Sequence, residues 1–365
     1  MKRSTDTDEK EGAIMYQSSC WGVMILTIGA TLAHADGARL RVDENGVLLK
    51  DGSPYRGIGV NYFGAVGMRL NNDDTGYEQG FATLAAYDIP FARVNMGTFW
   101  PINWDLYLNN PGEWFERMDD VVQSAEEHGV GLIPSLFWMI STVPDIVGEP
   151  VKAWGDPDSE THAFMRQYTK EVVTRYKDSP AIWAWEFGNE YSLFADVTPV
   201  LPVEPDLGTP EERTEDDHVS HDMIVTALTA FGEAVREHDP DRPITTGHSI
   251  PRWAAEHLRR GEGWLEDSRE DFDQNIVDVT PDPLDLGQVH IYPGRLEDDR
   301  WGETVLNYED LLEASVEALA AVNKPVFLGE FGAAKELHVD TRAEEIAEHE
   351  TLIKAIVLIP AIAPR

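Results

Sequence analysis

The chain is expected to be an α/β protein, a (β/α)8 TIM barrel introduced by an N-terminal β-hairpin. Three observations carry this. Seven short apolar runs alternate with longer stretches of helical period. The runs are continuous rather than alternating, as parallel strands covered on both faces require. No Gly-rich dinucleotide or phosphate loop follows the first run, which argues against a doubly wound nucleotide-binding sheet.

The hairpin spans Arg39 to Arg56. Leu40–Val42 and Val47–Leu49 flank an Asn45-Gly46 turn, and an Asp51-Gly52 turn leads into Pro54. The strand runs are Gly57–Tyr62, Phe91–Met96, Gly131–Phe137, Ala181–Phe187, Pro243–His248, Gly287–Tyr292 and Pro325–Phe331. Amphipathic stretches such as Glu113–His128, His162–Lys177, Asp222–His238, Leu311–Val322 and Arg342–Ile356 lie between or after them. Asp196–Asp217 and Gly261–Leu286, rich in proline and acids, are read mainly as acidic surface insertions after strands. Strand centres step by about 45 residues, so an eighth would centre near about residue 372. The eighth strand is therefore expected to be missing, or abbreviated to Ile356–Pro360, and residues 36–365 to form a C-terminally incomplete barrel.

Composition narrows the function. With 29 Lys+Arg against 66 Asp+Glu, the net charge is −37. That excludes a strong electrostatic grip on nucleic acid or anionic membrane, which need a basic footprint. A salt-adapted protein and an ordinary acidic secreted enzyme both fit. The sole cysteine, Cys20, allows neither an intramolecular disulfide nor a thiolate metal cluster. Residues 1–35 resemble a secretory leader. Trp21–Ala33 is apolar, is shorter than the roughly 20 residues of a membrane span, and is followed by the small-x-small site Ala33-His34-Ala35. Asp6, Asp8, Glu9 and Glu11 fit a leader poorly, so an apolar tail is the alternative. An extracellular monomer is expected, without stable membrane insertion or nucleic-acid partner.

Two strand ends carry the chemistry. Ala181 to Glu190 reads AIWAWEFGNE, and Lys324 to Gly332 reads KPVFLGEFG. Glu190 and Glu330 thus lie where a barrel assembles its site. Breaking a glycosidic bond takes a proton donor and a nucleophile or activated water. Carboxylates about 5 Å apart repel by roughly 3 kcal/mol at an effective dielectric near 20, which tends to keep one protonated while the other ionises. Glu186 shares the strand parity of Glu190, but its depth between Trp185 and Phe187 suggests a buried charge paired with an arginine. Arg93, a cation in the apolar run Phe91–Met96, needs such a partner. His290 and Tyr292 share a strand face. His248 is a weaker candidate. Trp100, Trp138 and Tyr191 follow strands and could stack on sugar rings or simply cap the barrel.

At Asn189-Glu190, His290-x-Tyr292 and Glu330 the chain resembles glycoside hydrolase family 5, among the retaining barrel glycosidases, from Arg39 to Phe331. The resemblance implies that Glu190 is the acid/base and Glu330 the nucleophile. It further implies that Asn189 contacts the sugar 2-position, Tyr292 holds the nucleophile and Arg93 supports it. Two departures stand out: the family's third-strand histidine is replaced within Ser135–Trp138, and its eighth-strand tryptophan has no counterpart before Arg365.

The expected function is cofactor- and metal-independent hydrolysis of a β-linked polysaccharide or oligosaccharide, with endo-1,4 cleavage of mannan or glucan favoured. An exo-acting oligosaccharide enzyme and an inactive carbohydrate-binding barrel are the alternatives. A metal-dependent barrel hydrolase lacks its His-x-His cue in Gly57–Tyr62. The charge of −37 makes a further expectation. Salt screens self-repulsion, so thermal midpoints should rise between low and molar salt, and a flat series would refute the idea.

Overall fold

In the computed structural model, which describes residues 39–72, 74–198, 201–292, 300–301, 308–332 and 341–358, three antiparallel strands come first. They are β1 (Leu40–Val42), β2 (Leu48–Lys50) and β3 (Ser53–Pro54). Gly46 and Gly52, at φ 74° and 75°, occupy the left-handed positions that these turns demand.

Seven parallel strands follow: β4 (Val60–Asn61), β5 (Phe91–Asn95), β6 (Gly131–Phe137), β7 (Trp185–Gly188), β8 (Ile244–Thr245), β9 (Gly287–Ile291) and β10 (Val326–Phe331). They stand in sequence order. β4 to β8 form one sheet, β9 pairs with β10, and a parallel bridge from Thr245 to Leu286 joins the two. Each crossover carries helix. α1 (Gly64–Asn72) and α2 (Gly76–Ala86) precede β5, and α3 (Asp105–Asn109) and α4 (Pro111–His128) precede β6. α5 (Thr142–Val147) and α6 (Glu160–Tyr176) lead to β7, and α7 (His221–Arg236) to β8. α8 (Ala255–Arg259) and α9 (Arg269–Asp278) lead to β9, α10 (Tyr308–Ala320) to β10, and α11 (Arg342–Leu358) follows. This is the (β/α)8 barrel class that the alternation predicts.

Local chemistry sets these boundaries. In α4, the Asn110 side chain accepts from the Glu113 N–H, Pro111 opens the helix, and Gly129 closes it in the left-handed conformation. Its buried face, Trp114, Met118, Val121, Val122 and Ala125, follows helical spacing. Inside the barrel, an aromatic layer made by Phe91, Trp183 and Phe327 fills the lower lumen, with ring centroids 5.7 and 6.4 Å from Phe91. Above it lies a polar layer: Arg93 on β5, Ser135 on β6, Glu186 on β7, Thr245 on β8, Gln288 on β9 and Glu330 on β10, all buried.

Three expectations need correction. The segment read as an acidic insertion from Gly261 to Leu286 contains α9. Its start is fixed by a reciprocal cap between Ser268 and Asp271, and Phe272 and Ile276 are buried four apart. The run from Ala181 makes one bridge, Leu132 with Ile182, and pairs regularly only from Trp185. Ile356–Leu358 end α11 rather than forming an abbreviated strand, because Leu352, Ala355 and Ile356 pack at helical spacing against β9, β10 and α10 side chains. Ile359, Pro360 and the leader region lie outside the described residues.

The insertion Asp196–Asp217 is tied down by Arg213, whose guanidinium donates to both Asp145 oxygens at 2.7 and 2.8 Å. No helix among the described residues is long and apolar enough to cross a membrane.

Candidate active site

The polar layer converges on Arg93. Its Nε donates to Glu186 at 2.7 Å, Nη1 to Glu330 Oε1 at 2.6 Å and Nη2 to Asn189 Oδ1 at 2.8 Å. Burial opposes its charge, but Glu186 and Glu330 more than offset that and hold the guanidinium above its ordinary value. Trp138 and Phe63 lie against the cation, 4.9 and 5.4 Å from ring centroid to Cζ. Trp138 therefore packs on the site arginine at the position where the third strand ends. Ser135 donates to the Gly188 carbonyl at 3.0 Å, linking β6 to β7 beneath it.

Glu330 accepts on both oxygens, from Arg93 at Oε1 and from the Tyr292 hydroxyl at Oε2, 2.7 Å away. Burial, then Glu330 itself, push the Tyr292 phenol well above its ordinary range, so it donates as a neutral hydroxyl. Glu190 is set differently. It adopts φ 54°, ψ 29°, a costly region for a non-glycine residue, and its N–H is held by the Gly247 carbonyl at 2.7 Å. Its side chain is 25% exposed against 11% for Glu330. Nδ1 of His290 lies 3.1 Å from Glu190 and 3.6 Å from Glu330. One carboxylate oxygen from each glutamate and a ring nitrogen of His290 all fall within 4.8 Å of one another. Two carboxylates with oxygens this close can act on one and the same bond.

The same three side chains could in principle ligate a cation, but the Arg93 guanidinium already occupies Glu330 at 2.6 Å and opposes positive charge there. A second group, His257, Asp267 and Asp271, is engaged elsewhere: Asp267 accepts the N–H groups of Glu256 and His257, and Asp271 caps α9 and pairs with Arg260. Neither arrangement calls for a metal.

Two sequence candidates point elsewhere. Tyr191 is buried, donates to the Phe137 carbonyl at 2.7 Å and packs on Phe187 and Trp154. It is a core residue and offers no face to a sugar. His248 is also buried, at 1% exposure, and burial with His290 and His221 beside it pushes it down to about 3. Trp100 is half-buried against Phe99. Glu186 is the fully buried partner of Arg93, as its depth suggested.

Sequence reading passed over Gln288 and Gly247, and it took Gly329 only as part of the motif that ends in Gly332, with no role of its own. Gln288 carried a signal: it shares strand parity with His290 and Tyr292. Gly329 forms the bulge between Leu328 and Glu330 on β10, and a Cβ there would meet Gln288 Nε2 at 2.2 Å. Gly247, at φ 81°, leaves no space either, since a Cβ would stand 1.8 Å from the Gly188 carbonyl oxygen.

The model of the family described as Cellulase (glycosyl hydrolase family 5) matches residues 56–355. Among curated relatives, the mannan endo-1,4-beta-mannosidase A of Aspergillus aculeatus is 27% identical over 290 residues, 73% of this chain and 67% of the relative. A probable mannan endo-1,4-beta-mannosidase A of Aspergillus clavatus is 27% identical over 80% of this chain and 78% of its own length. For the probable mannan endo-1,4-beta-mannosidase F of Aspergillus flavus, this chain spans only 43% of the relative. The endo-1,4-beta-mannanase of Rhizomucor miehei superposes with a TM-score of 0.60 at 18% identity, covering 87% of both chains. The exo-beta-1,4-mannosidase Op5Man5 from Opitutaceae bacterium strain TAV5 gives 0.58 at 18% identity, over 88% of this chain and 53% of that one.

Two predictions follow from this packing. Gly247→Ala forces a side chain into a left-handed position and into the Gly188 carbonyl, so chemical denaturation should show a loss of at least about 1–3 kcal/mol. An unchanged midpoint would mean that the close approach is not real. His248 supplies a pH test. Unfolded, it titrates near about 6.5, so between there and about 3 the unfolded chain takes up a proton that the folded chain does not, and stability falls with acidification. His248→Gln lacks this effect. Its melting temperature should gain on the wild type as pH drops from about 7 to 4, and a constant difference would contradict the burial of a neutral imidazole.

Proposed function

Because the chain belongs to glycosyl hydrolase family 5, we propose that it cleaves internal β-1,4 bonds of a mannan-type polysaccharide by double displacement on Glu330 and Glu190. The observation that carries this is the contrast between two carboxylates within 4.8 Å. Glu330 accepts from Arg93 and Tyr292 and is mostly covered, while Glu190 is more exposed and faces it across His290. In this reading Glu330 attacks the anomeric carbon as Glu190 protonates the departing oxygen. The covalent glycosyl-enzyme is then opened by a water that Glu190 deprotonates. Asn189, oriented by Arg93, is the group placed to meet the sugar 2-hydroxyl. Mannan is favoured over cellulose-like glucan because the relatives above carry that activity in their names. Trp138 and Trp100 are proposed to border the sugar-binding cleft.

Turnover on soluble β-mannan, a soluble cellulose derivative and β-1,3-glucan tests the substrate class. The wild type is expected to be active on the first. Sugar binding without turnover on any would instead mark a carbohydrate-binding barrel. The two roles separate in variants. Glu330→Ala should leave little activity on any substrate. Glu190→Ala should lose roughly 100- to 10,000-fold on substrates with poor leaving groups and far less on activated aryl glycosides. Azide should rescue Glu190→Ala with a β-configured product and Glu330→Ala with an α-configured one. Swapped anomers would reverse the assignment.

A further inference from the structure

Next to His290 lies a buried amide whose orientation can be deduced from its neighbours. Gln288 precedes His290 by two residues on β9 and points the same way, 2% exposed. Its Oε1 lies 2.9 Å from the backbone nitrogen of Gly247, and its Nε2 lies 2.9 Å from Glu186 Oε2 and 3.1 Å from His290 Nε2. A side-chain amide can be turned over, but two neighbours here allow one orientation only. The Gly247 N–H can only donate, so the atom facing it must be the carbonyl oxygen. Glu186 Oε2, which already accepts from Arg93 Nε, can only accept, so the atom facing it must be the NH2. Thr245 does not decide the matter. Its hydroxyl lies 2.8 Å from Gln288 Oε1 and 3.2 Å from the Leu286 carbonyl, and its one proton serves only one of them.

With the amide so fixed, one of its two protons goes to Glu186 and the other points at His290 Nε2. That ring nitrogen is therefore an acceptor. We propose that Gln288, anchored by the Gly247 N–H, places the single imidazole proton of His290 on Nδ1, and so acts as a positioning residue for Glu190. The Nδ1–H then donates to Glu190 Oε1, 3.1 Å away. The carbonyl oxygen of a carboxylic acid is its better acceptor, so the bond from His290 favours the transferable proton on Oε2. Glycine makes the arrangement possible at both ends. Gly247 brings its N–H to the amide from a left-handed backbone, and at Gly329 a Cβ would meet Gln288 Nε2 at 2.2 Å and His290 Nε2 at 2.7 Å.

The consequence for Glu190 rests on the acid/base reading above, whereas the tautomer does not. Histidine-selective 15N labelling of the full chain, with long-range proton–nitrogen correlation at neutral pH, reads the tautomer directly. The His290 signals are those missing in His290→Asn. The expected wild-type pattern is a pyrrole-type Nδ1 and a pyridine-type Nε2. In Gln288→Glu an acceptor replaces the donor, and Nε2 should become protonated. A pyridine-type Nδ1 in the wild type, or an unchanged pattern in Gln288→Glu, would overturn the proposal. The wild-type spectrum decides even where that variant does not fold. Gln288→Met supplies the kinetic readout. KM should stay within about twofold while kcat on poor leaving groups drops roughly tenfold or more, with a much smaller effect on activated aryl glycosides. A kcat unchanged in Gln288→Met would remove Gln288 from the positioning of Glu190. A wild type that shows the Nδ1 tautomer yet turns over no glycoside would refute the hydrolase reading and leave the tautomer assignment standing.

Discussion

The charge of Arg93 is the constraint around which this barrel is organised. A guanidinium buried to 1% exposure has to be answered by acceptors on all sides, or the fold would carry several kcal/mol of uncompensated desolvation. Two strands supply them: Glu186 and Asn189 come from β7 and its exit, and Glu330 from β10. Each of the cation's three donor nitrogens thus holds a different group. Spreading the contacts this way ties together three strands that are not neighbours in the sheet. The cleft inherits its carboxylate spacing from a requirement that belongs first to stability.

The layers beneath make that requirement affordable. Phe91, Trp183 and Phe327 close the lower lumen, and glycine at Gly131 leaves room for the Trp183 ring, 2.2 Å from where a Cβ would be. The polar layer then stands on an aromatic floor, and its own members are buried, so its hydrogen bonds act at low dielectric. Trp138 and Phe63 shield the upper face of Arg93. Water is kept from the cation, and the opening is left to the two glutamates and Tyr292.

Much of this was legible in the sequence wherever a strand persisted. Period-two parity joined His290 to Tyr292, and the lone cation in Phe91–Met96 demanded a buried acid, which Glu186 and Glu330 supply. Parity fails where the backbone turns. Glu190 enters the left-handed region and Tyr191 begins a 3₁₀ turn, so the ring swings into the core between Phe187 and Trp154. His248 follows Gly247 at φ 81° and is likewise carried inward. α9 was hidden for a different reason. Its acidic outer face dominates its composition, and only Phe272 and Ile276, with the Ser268 cap, betray a helix. The bulge at Gly329 has one local sign, a glycine inside an apolar strand run, which fits either a bulge or a close backbone approach. It exists because Gln288 and His290 come from another strand to fill the space where a side chain would stand.

The acidic exterior and the cationic centre belong to different problems. A net charge of −37 would repel an anionic ligand and draw in a cationic one, but a neutral polysaccharide feels neither. Recognition of such a chain rests on hydrogen bonds and ring faces, which salt screens little. The buried network around Arg93 is shielded from salt for the same reason that it is shielded from water. Surface charge can therefore follow the demands of solubility while the distances among Glu190, His290 and Glu330 are set from within, by one arginine and by the glycines that let other side chains reach it.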